Sequence, residues 1–476
     1  MTEARSLAAV ALLVCAVLAP AQDSAAPPNI LVILTDDMGY GDLSCYGSEQ
    51  IQTPHIDALA AAGVRCTQGY VTAPVCSPSR AGLLVGRYQN RFGFEHNLVG
   101  PQGHYRPESL GIPRDEQTIA DRLQRLGYRT GCIGKWHVGR SVDWQLPNAR
   151  GFGEFFGTRL GGHEYFVKAD RCTLFRNGDK VTEVAERYLT DWFTSEALAF
   201  VDATPEDRPW FLYLAYTTPH TPLQAKTADL AEFRDLEPER RRTYAAMQRC
   251  LDDSVGRLLG RLDETGAAAN TLVVFLNDNG GYCSRNGSIN APLRGQKGTM
   301  LEGGLRVPFL WRWPGRLPAG AVYDPPISAV DLMPTLVAAA GGRLETEWVG
   351  SGRQRRQRVY DGVDLLPFLR GDRDGERPHP TLYWRFALRG AAIRDGDWKL
   401  LRLPHRAAEL YDLATDASEL RDLAASEPAR VEALMAKLFA WECTFERPPM
   451  WLGPNSWLPR NRNSYDRDYA LEQPGR

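Results

Sequence analysis

Three apolar runs, each cut off by polar or acidic groups, constrain this chain more than any other feature. Asn29-Ile-Leu-Val-Ile-Leu34 runs into Thr35-Asp36-Asp37. Trp210 to Tyr216 runs into Thr217-Thr218-Pro219-His220, and Thr271 to Leu276 into Asn277-Asp278-Asn279-Gly280. A strand that is apolar on both faces must be covered on both, so these runs suit the centre of a largely parallel sheet. Helix signals alternate with them. Thr53-Pro54 predicts an N-cap followed by Pro at the first helical position, with Gly63 as the stop. Ile119, Leu123 and Leu126 recur at helical spacing up to Gly127. Tyr128 to Ile133 then reads as another strand, ending on Gly134-Lys135-Trp136-His137. Alternation of this kind predicts an α/β fold, whose ligands bind beyond the carboxyl ends of the strands. Four strand ends thus send acidic, basic and imidazole groups to one edge.

A chain of 476 residues suits a large domain plus a smaller one. Gly371 to Pro380 is polar and rich in Gly, Pro and charge, which reads as a linker. The expected layout is a large domain over 22–375 and a C-terminal α+β unit over 376–476. In the latter, Thr381 to Trp384, Gly390 to Arg394 and Trp398 to Leu403 read as short strands. Glu427 to Trp441 reads as an amphipathic helix with Val431, Leu434, Leu438 and Phe439 on one face. The basic run Arg353 to Arg358 reads as a solvated loop. There are no internal repeats.

The start of the chain has the pattern of an export signal over 1–21. Arg5 precedes an apolar run from Leu7 to Leu18, and Ala19-Pro20-Ala21 offers a cleavage site. That predicts a secreted or periplasmic protein; the run is short for a bilayer, and no later segment reads as membrane-spanning. Val14 before Cys15 disfavours a lipid anchor. A formal net charge of −2 provides no general attraction for nucleic acid or anionic membranes, so an anionic substrate needs local cations. Of nine cysteines, those left after Cys15 and a reserved Cys76 number seven. An odd count without tight spacing argues against a dense disulfide framework and leaves room for one or two bridges. No Cys/His cluster has zinc spacing. Asn286-Gly287-Ser288 fits a glycosylation sequon, a weak signal.

Cys76-Ser77-Pro78-Ser79-Arg80 is the most specific segment. Pro78 at a first helical position would put Cys76 just before a helix running through Ala81 to Val85. A group there meets free N–H donors and the positive helix end, a place suited to tetrahedral oxyanions, and Arg80 can reach the same anion.

With these motifs together the chain closely resembles the type I sulfatase family of the alkaline phosphatase-like superfamily. The resemblance runs from Asn29 to about residue 440 and rests on motifs in the family's order. They are residues 29–37, Thr-Pro-His-Ile-Asp (53–57), Cys-Ser-Pro-Ser-Arg (76–80), Gly-Lys-Trp-His (134–137), Thr-Pro-His (218–220) and Asn-Asp-Asn-Gly (277–280). Leu-Arg-Gly-Gln-Lys-Gly (293–298) and Glu-Gly-Gly-Leu-Arg-Val-Pro (302–308) complete them. The resemblance implies that a maturation enzyme reading C-x-P-x-R oxidises Cys76 to formylglycine. The hydrated aldehyde carries two hydroxyls on one carbon: one attacks sulfur, and loss of the other's proton later expels sulfate. It also implies that Asp36, Asp37, Asp278 and Asn279, with residue 76, hold a divalent cation. Such hard oxygen ligands suit Ca²⁺, with Mg²⁺ possible, rather than zinc. By the same resemblance His137 is the base that breaks down the sulfated intermediate. His220 and Lys297 are placed to protonate the leaving oxygen, and Lys135 and Arg80 hold sulfate oxygens.

The implied substrate is a sulfated carbohydrate or other sulfate ester. Glu95, His96, Asn97, His163 and Tyr165 are weaker candidates for touching a sugar, while Asp42, Cys45 and His55 are assigned structural roles. A small aryl sulfatase, and a formylglycine-dependent phosphonate or phosphate ester hydrolase on the same fold, are the alternatives. A glycan binder without catalysis would have no reason to keep every nucleophile, metal and acid/base position.

Overall fold

The computed structural model describes residues 26–98, 106–184, 187–344, 347–349, 355–450 and 465. The export pattern at 1–21 lies outside them. In chain order the main sheet comprises β1 (Asn29–Thr35), β2 (Val64–Tyr70), β3 (Arg129–Lys135), β4 (Glu154–Thr158), β5 (Leu174–Arg176) and β6 (Asp179–Lys180). It continues with β7 (Trp210–Ala215), β8 (Thr271–Asn277), β9 (Arg306–Arg312), β10 (Ala321–Tyr323) and β11 (Ile327–Ser328). The spatial order is β10-β2-β9-β8-β1-β7-β3-β4-β5-β6, with β11 also paired to β2. The apolar runs pair with one another: Ile30 of β1 lies opposite Leu272 on one side and Phe211 on the other, both in parallel. β3 extends the parallel centre from β7 to β4, while β9 is antiparallel to both β8 and β2.

The helices flanking this sheet are α1 (Pro54–Ala61), α2 (Cys76–Val85), α3 (Ile119–Arg125), α4 (Leu189–Asp202) and α5 (Glu239–Glu264). Successive strand residues point to opposite faces. Ile30, Val32 and Leu34 therefore enter one core with Leu84 of α2 and Leu123 of α3. Leu31 and Ile33 enter the other with Phe193 of α4 and Leu251 of α5. Full burial of each such side chain stabilises by roughly 1.5–3 kcal/mol. Pro54 opens α1 as expected, but the Thr53 hydroxyl does not cap it. That oxygen accepts the Ser44 N–H at 3.0 Å, and Asp252 of α5 caps the free N–H groups of His55 and Ile56 instead.

The C-terminal unit is an antiparallel sheet of β12 (Thr381–Phe386), β13 (Gly390–Asp395), β14 (Trp398–Arg402) and β15 (Glu409–Asp412), followed by α6 (Pro428–Glu442). Leu434, Leu438 and Trp441 form the buried face of α6, whereas Phe439, expected there, is 51% exposed. Trp441 completes the i, i+4, i+7 stripe, and Phe439 lies instead under the Arg402 guanidinium. Arg358, assigned by sequence to a solvated loop, is buried and paired with Glu116 and Glu347. The cysteines among the described residues are all free, so the expected bridges are not formed there. The sequon fails as well: Asn286 is fully buried, where no glycan could be attached.

The C-terminal unit grips the main domain through a buried ionic cluster. Lys399 Nζ lies 2.8 Å from Glu302 Oε1 and 2.9 Å from Glu419 Oε1. Tyr70 donates to the other Glu302 oxygen at 2.6 Å, Trp384 Nε1 to the Val71 carbonyl, and Tyr465 accepts from the Met300 N–H. Segments 70–71 and 300–302 are thus held from one side.

His379, in the stretch read as a linker, is buried and lies 2.7 Å from Asp331. Burial lowers the affinity of the imidazole for a proton, but Asp331 outweighs it and holds the pKa above the ordinary 6.5. A raised folded value means that the pair's contribution is complete below 6.5 and fades as pH rises through the folded pKa. The Tm deficit of His379→Gln is expected to reflect about 1–3 kcal/mol at acidic pH and to shrink toward alkaline pH. A deficit that does not vary with pH would exclude a charged pair.

Candidate active site

The carboxyl edge of the sheet gathers the predicted groups. Asp36 and Asp37 follow β1, Lys135 ends β3 with His137 just beyond, His220 follows β7, and Asp278 and Asn279 follow β8. Cys76 is the first residue of α2 rather than the one before it, and Pro78 is the third. Proline fits there because the N–H groups of a first turn have no intrahelical partners. Asn97, weighed as a sugar contact, meets the Ser77 N–H at 2.8 Å. Every residue of α2 is buried, and Cys76 retains only 1% exposure.

Charges of both signs interlock around it. Lys297 Nζ is 3.1 Å from the Cys76 sulfur and 2.6 Å from Asp37 Oδ1. Lys135 Nζ is 2.6 Å from Asp36 Oδ2, and the Cys76 thiol is 3.8 Å from Asp36 Oδ1. Arg80 binds Asp278 through Nε at 2.8 Å, lies 3.7 Å from Asp36, and donates Nη1 to the Lys135 carbonyl. His220 Nε2 is 3.5 Å from Asp37 Oδ2. His137 Nε2 is 3.0 Å from the Leu98 carbonyl.

These neighbours set the protonation states. Burial pushes the Asp36 carboxyl up, but Lys135, His220 and Arg80 outweigh it and hold it below the usual carboxylate range. Asp37 is lowered in the same way, chiefly by Lys297 against burial. At Asp278 burial, joined by the Asp36 charge, prevails over Arg80 and the pKa is raised. Burial pushes the Cys76 thiol up to about 11 against the pull of Lys135 and Lys297. Burial and then the Lys135 charge hold His137 well below its ordinary value. His220 is lowered by burial, against Asp36 and Asp37.

Asp36, Asp37, Cys76 and His220 offer ligand atoms within 4.8 Å of one another, a group that could hold a metal ion. Two further oxygens fit the same role. Asp278 Oδ1 and Asn279 Oδ1 are buried without a hydrogen-bond partner among the described residues. Unsatisfied buried acceptors are costly, and a hard cation is the partner that several oxygens can share. The sequence reading had put His220 among the acid groups; the structure sets it within reach of the metal group too.

Asp37 and His137 both adopt left-handed backbone, at φ 64° and 56°. Such strain costs roughly 1–3 kcal/mol per residue and collects at functional sites. Asn286 helps to hold Asp37 by donating its amide to the Asp37 carbonyl, a role no local pattern announces. Tyr165 braces the loop after β7, donating to the carbonyls of Thr217 at 2.6 Å and His220 at 3.0 Å. His163 is fixed through both ring nitrogens, to Glu164 and Thr173. Glu95 pairs with Arg385, and His96 packs on Phe386. All four have partners within the protein.

A mostly parallel sheet that gathers these groups at its carboxyl edge defines the alkaline phosphatase-like class. The sulfatase family model matches residues 28–342. Mouse arylsulfatase J is 33% identical over 391 residues, a match covering 79% of this chain and 64% of that one, so the chain spans under two thirds of that relative's length. Pig N-acetylgalactosamine-6-sulfatase is 35% identical over 378 residues, covering 75% and 69%. The crystal structure of Ps i-CgsB in complex with k-i-k-neocarrahexaose superposes with a TM-score of 0.80 at 35% identity, covering 92% of this chain and 98% of that one. The chain belongs to the sulfatase family.

Proposed function

We propose that the protein hydrolyses sulfate esters of carbohydrates, using a formylglycine made from Cys76 by a maturation enzyme. A divalent cation, Ca²⁺ or else Mg²⁺, would be held by Asp36, Asp37, Asp278, Asn279 and residue 76. The N-terminal pattern supports export to the periplasm or beyond. No helix among the described residues is long and apolar enough to cross a membrane. The environment of Cys76 carries the reading. Its side chain lies at a helix start beside Lys297 and Asp36, yet its thiol is pushed up to about 11 and is a poor nucleophile near neutral pH. The aldehyde made from it would supply, once hydrated, the attacking hydroxyl. The cation, when bound, would neutralise charge on the sulfate and favour the deprotonated nucleophile.

The chain's own groups divide the remaining work. The Leu98 carbonyl can only accept, so the proton on His137 sits on Nε2 and leaves Nδ1 with a lone pair. Nδ1 has no hydrogen-bond partner among the described residues, and the depressed pKa keeps the ring neutral, as a base requires. His220 is fixed the other way: Nδ1 donates to the Thr221 carbonyl at 2.6 Å, leaving Nε2 beside Asp37. A proton on that nitrogen, opposed by burial but favoured by the Asp36 and Asp37 charges, can pass to the leaving oxygen. Lys297, whose pKa Asp37 holds well above the ordinary value against burial, retains its proton and serves better as a fixed cation. Arg80 and Lys135 supply positive charge for the sulfate oxygens.

The carbohydrate rests on the company the chain keeps: pig N-acetylgalactosamine-6-sulfatase by its name, and Ps i-CgsB by its bound k-i-k-neocarrahexaose. A sugar alkoxide is a poor leaving group and needs a proton, whereas nitrophenolate does not. His220→Ala is therefore expected to cost about 10²-fold or more on a sugar sulfate and far less on nitrophenyl sulfate. Equal losses would remove His220 from the acid role. Mass spectrometry of the peptide bearing Cys76 tests the nucleophile, and competition between sulfate and phosphonate esters tests the alternative chemistry.

A further inference from the structure

The stretch that follows β4 runs along both imidazoles of the site. Leu160 is tied back by its N–H to the Thr158 hydroxyl, and His163 and Tyr165 are locked in place as described. Between these anchors lie Gly161 and Gly162. A Cβ built on Gly161 would stand 2.7 Å from His137 Cε1 and 2.9 Å from its Nε2. One built on Gly162 would stand 3.4 Å from His220 Nδ1 and 3.5 Å from its Cε1. Neither glycine has the left-handed backbone that excludes other residues. At Gly161 what demands glycine is space, not conformation; at Gly162 a Cβ would reach His220 only at ordinary contact distance.

Two further observations bear on what uses that space. Both glycines are only half-buried, in a site whose charged groups are almost wholly buried. Among the described residues, neither of their N–H groups has a hydrogen-bond partner. The site therefore has, beside its base and its acid, a strip of bare backbone with donors to spare.

We propose that Gly161 and Gly162 form the platform on which the alcohol part of the ester lies, with Gly161 also fixing the position of the His137 ring. The proposal rests on the sulfatase reading above and names the part of the site that would receive the sugar. A hydroxylated ring can lie flat on a strip without side chains and take hydrogen bonds from its amides. It would then place its ester oxygen between an unprotonated His137 and a proton-donating His220. Gly161 is a positioning residue: the space its missing side chain would fill adjoins Cε1 and Nε2 of the His137 ring, the edge that the Leu98 carbonyl holds.

Alanine at each position separates the two roles. Gly161→Ala should still fold, with a modestly lower Tm, because its φ is open to alanine, while its methyl group displaces the His137 ring. The expected result is a fall in kcat of about 10-fold or more on both sugar and nitrophenyl sulfates, with a shifted pH profile. The His137 Cε1–H resonance, assigned with a His137→Gln variant, should move in Gly161→Ala. In Gly162→Ala the methyl group clears His220 at ordinary contact distance and intrudes on the platform. KM should rise roughly 10-fold on the sugar sulfate and by less than about 3-fold on nitrophenyl sulfate, with kcat less affected. Wild-type kcat together with an unmoved His137 resonance in Gly161→Ala would overturn the positioning role. A KM in Gly162→Ala that is unchanged, or raised equally on both substrates, would overturn the platform. A wild-type protein inactive on every sulfate ester would refute the sulfatase reading and the platform with it, while the resonance would still decide the position of His137.

Discussion

Cys76→Ala is expected to remain folded and to lose turnover by about 10⁴-fold or more. The two halves of that result have separate causes. Structurally the change removes one sulfur from the start of α2, where its polar neighbours among the described residues are Lys297 and Asp36. Both have stronger partners, Asp37 and Lys135, so the cost is that of a small cavity, on the order of 1 kcal/mol. Chemically the change removes the one position that can bear the attacking group. No other side chain replaces it: the nearest candidates are acids already paired with cations. Thermal denaturation beside kcat measures both halves. Wild-type turnover in protein whose Cys76 is wholly unmodified would end the formylglycine mechanism.

Asp278→Ala is expected to abolish both activity and bound cation. It deletes an acceptor, Oδ1, that has no hydrogen-bond partner among the described residues, and it also deletes the Oδ2 that binds Arg80 at 2.8 Å. Arg80 would keep the Lys135 carbonyl and a longer approach to Asp36, at zero exposure. Leaving a buried guanidinium short of a partner costs about 3–5 kcal/mol, so a lower Tm should accompany the loss of function. In wild type, chelation should inactivate and Ca²⁺ or Mg²⁺ restore. Elemental analysis that finds the metal intact in the variant would contradict the ligand assignment.

The centre of the fold could be read from the chain because β1, β7 and β8 are apolar on both faces and stop abruptly at their functional groups. The same interruptions pointed to Asp36, Asp37, His220 and Asp278. The outer half of the sheet left no such trace. β2, Val-Arg-Cys-Thr-Gln-Gly-Tyr, is polar at alternate positions and is held by its pairing with β9. In the C-terminal sheet, β15 is likewise a four-residue strand with charged ends, specified by its neighbour β14. Arg358 and Asn286 looked like surface residues because local composition says nothing of partners far along the chain. Glu116 and Asp37, which hold them, are 242 and 249 residues away. The same holds within the site. That the sequence contains His137 and His220 was plain, but which ring nitrogen keeps a lone pair depends on the carbonyls of Leu98 and Thr221.

Burial of Cys76 also sets a schedule. On the function proposed above, a maturation enzyme that reads C-x-P-x-R would need residues 76–80 as accessible chain, and in the folded protein all five are buried within one helix. Oxidation would therefore have to come before closure. The residues that seal the neighbouring segments, Trp384, Lys399 and Glu419, are synthesised long after Arg80. Glu419 follows Arg80 by 339 positions (419 less 80). At about 5–20 residues per second, that gap keeps the segment unsealed for roughly 20–70 s. The length of chain between Cys76 and its C-terminal clasp would thus work as a clock, and a protein whose last strands arrived sooner would give such an enzyme less time.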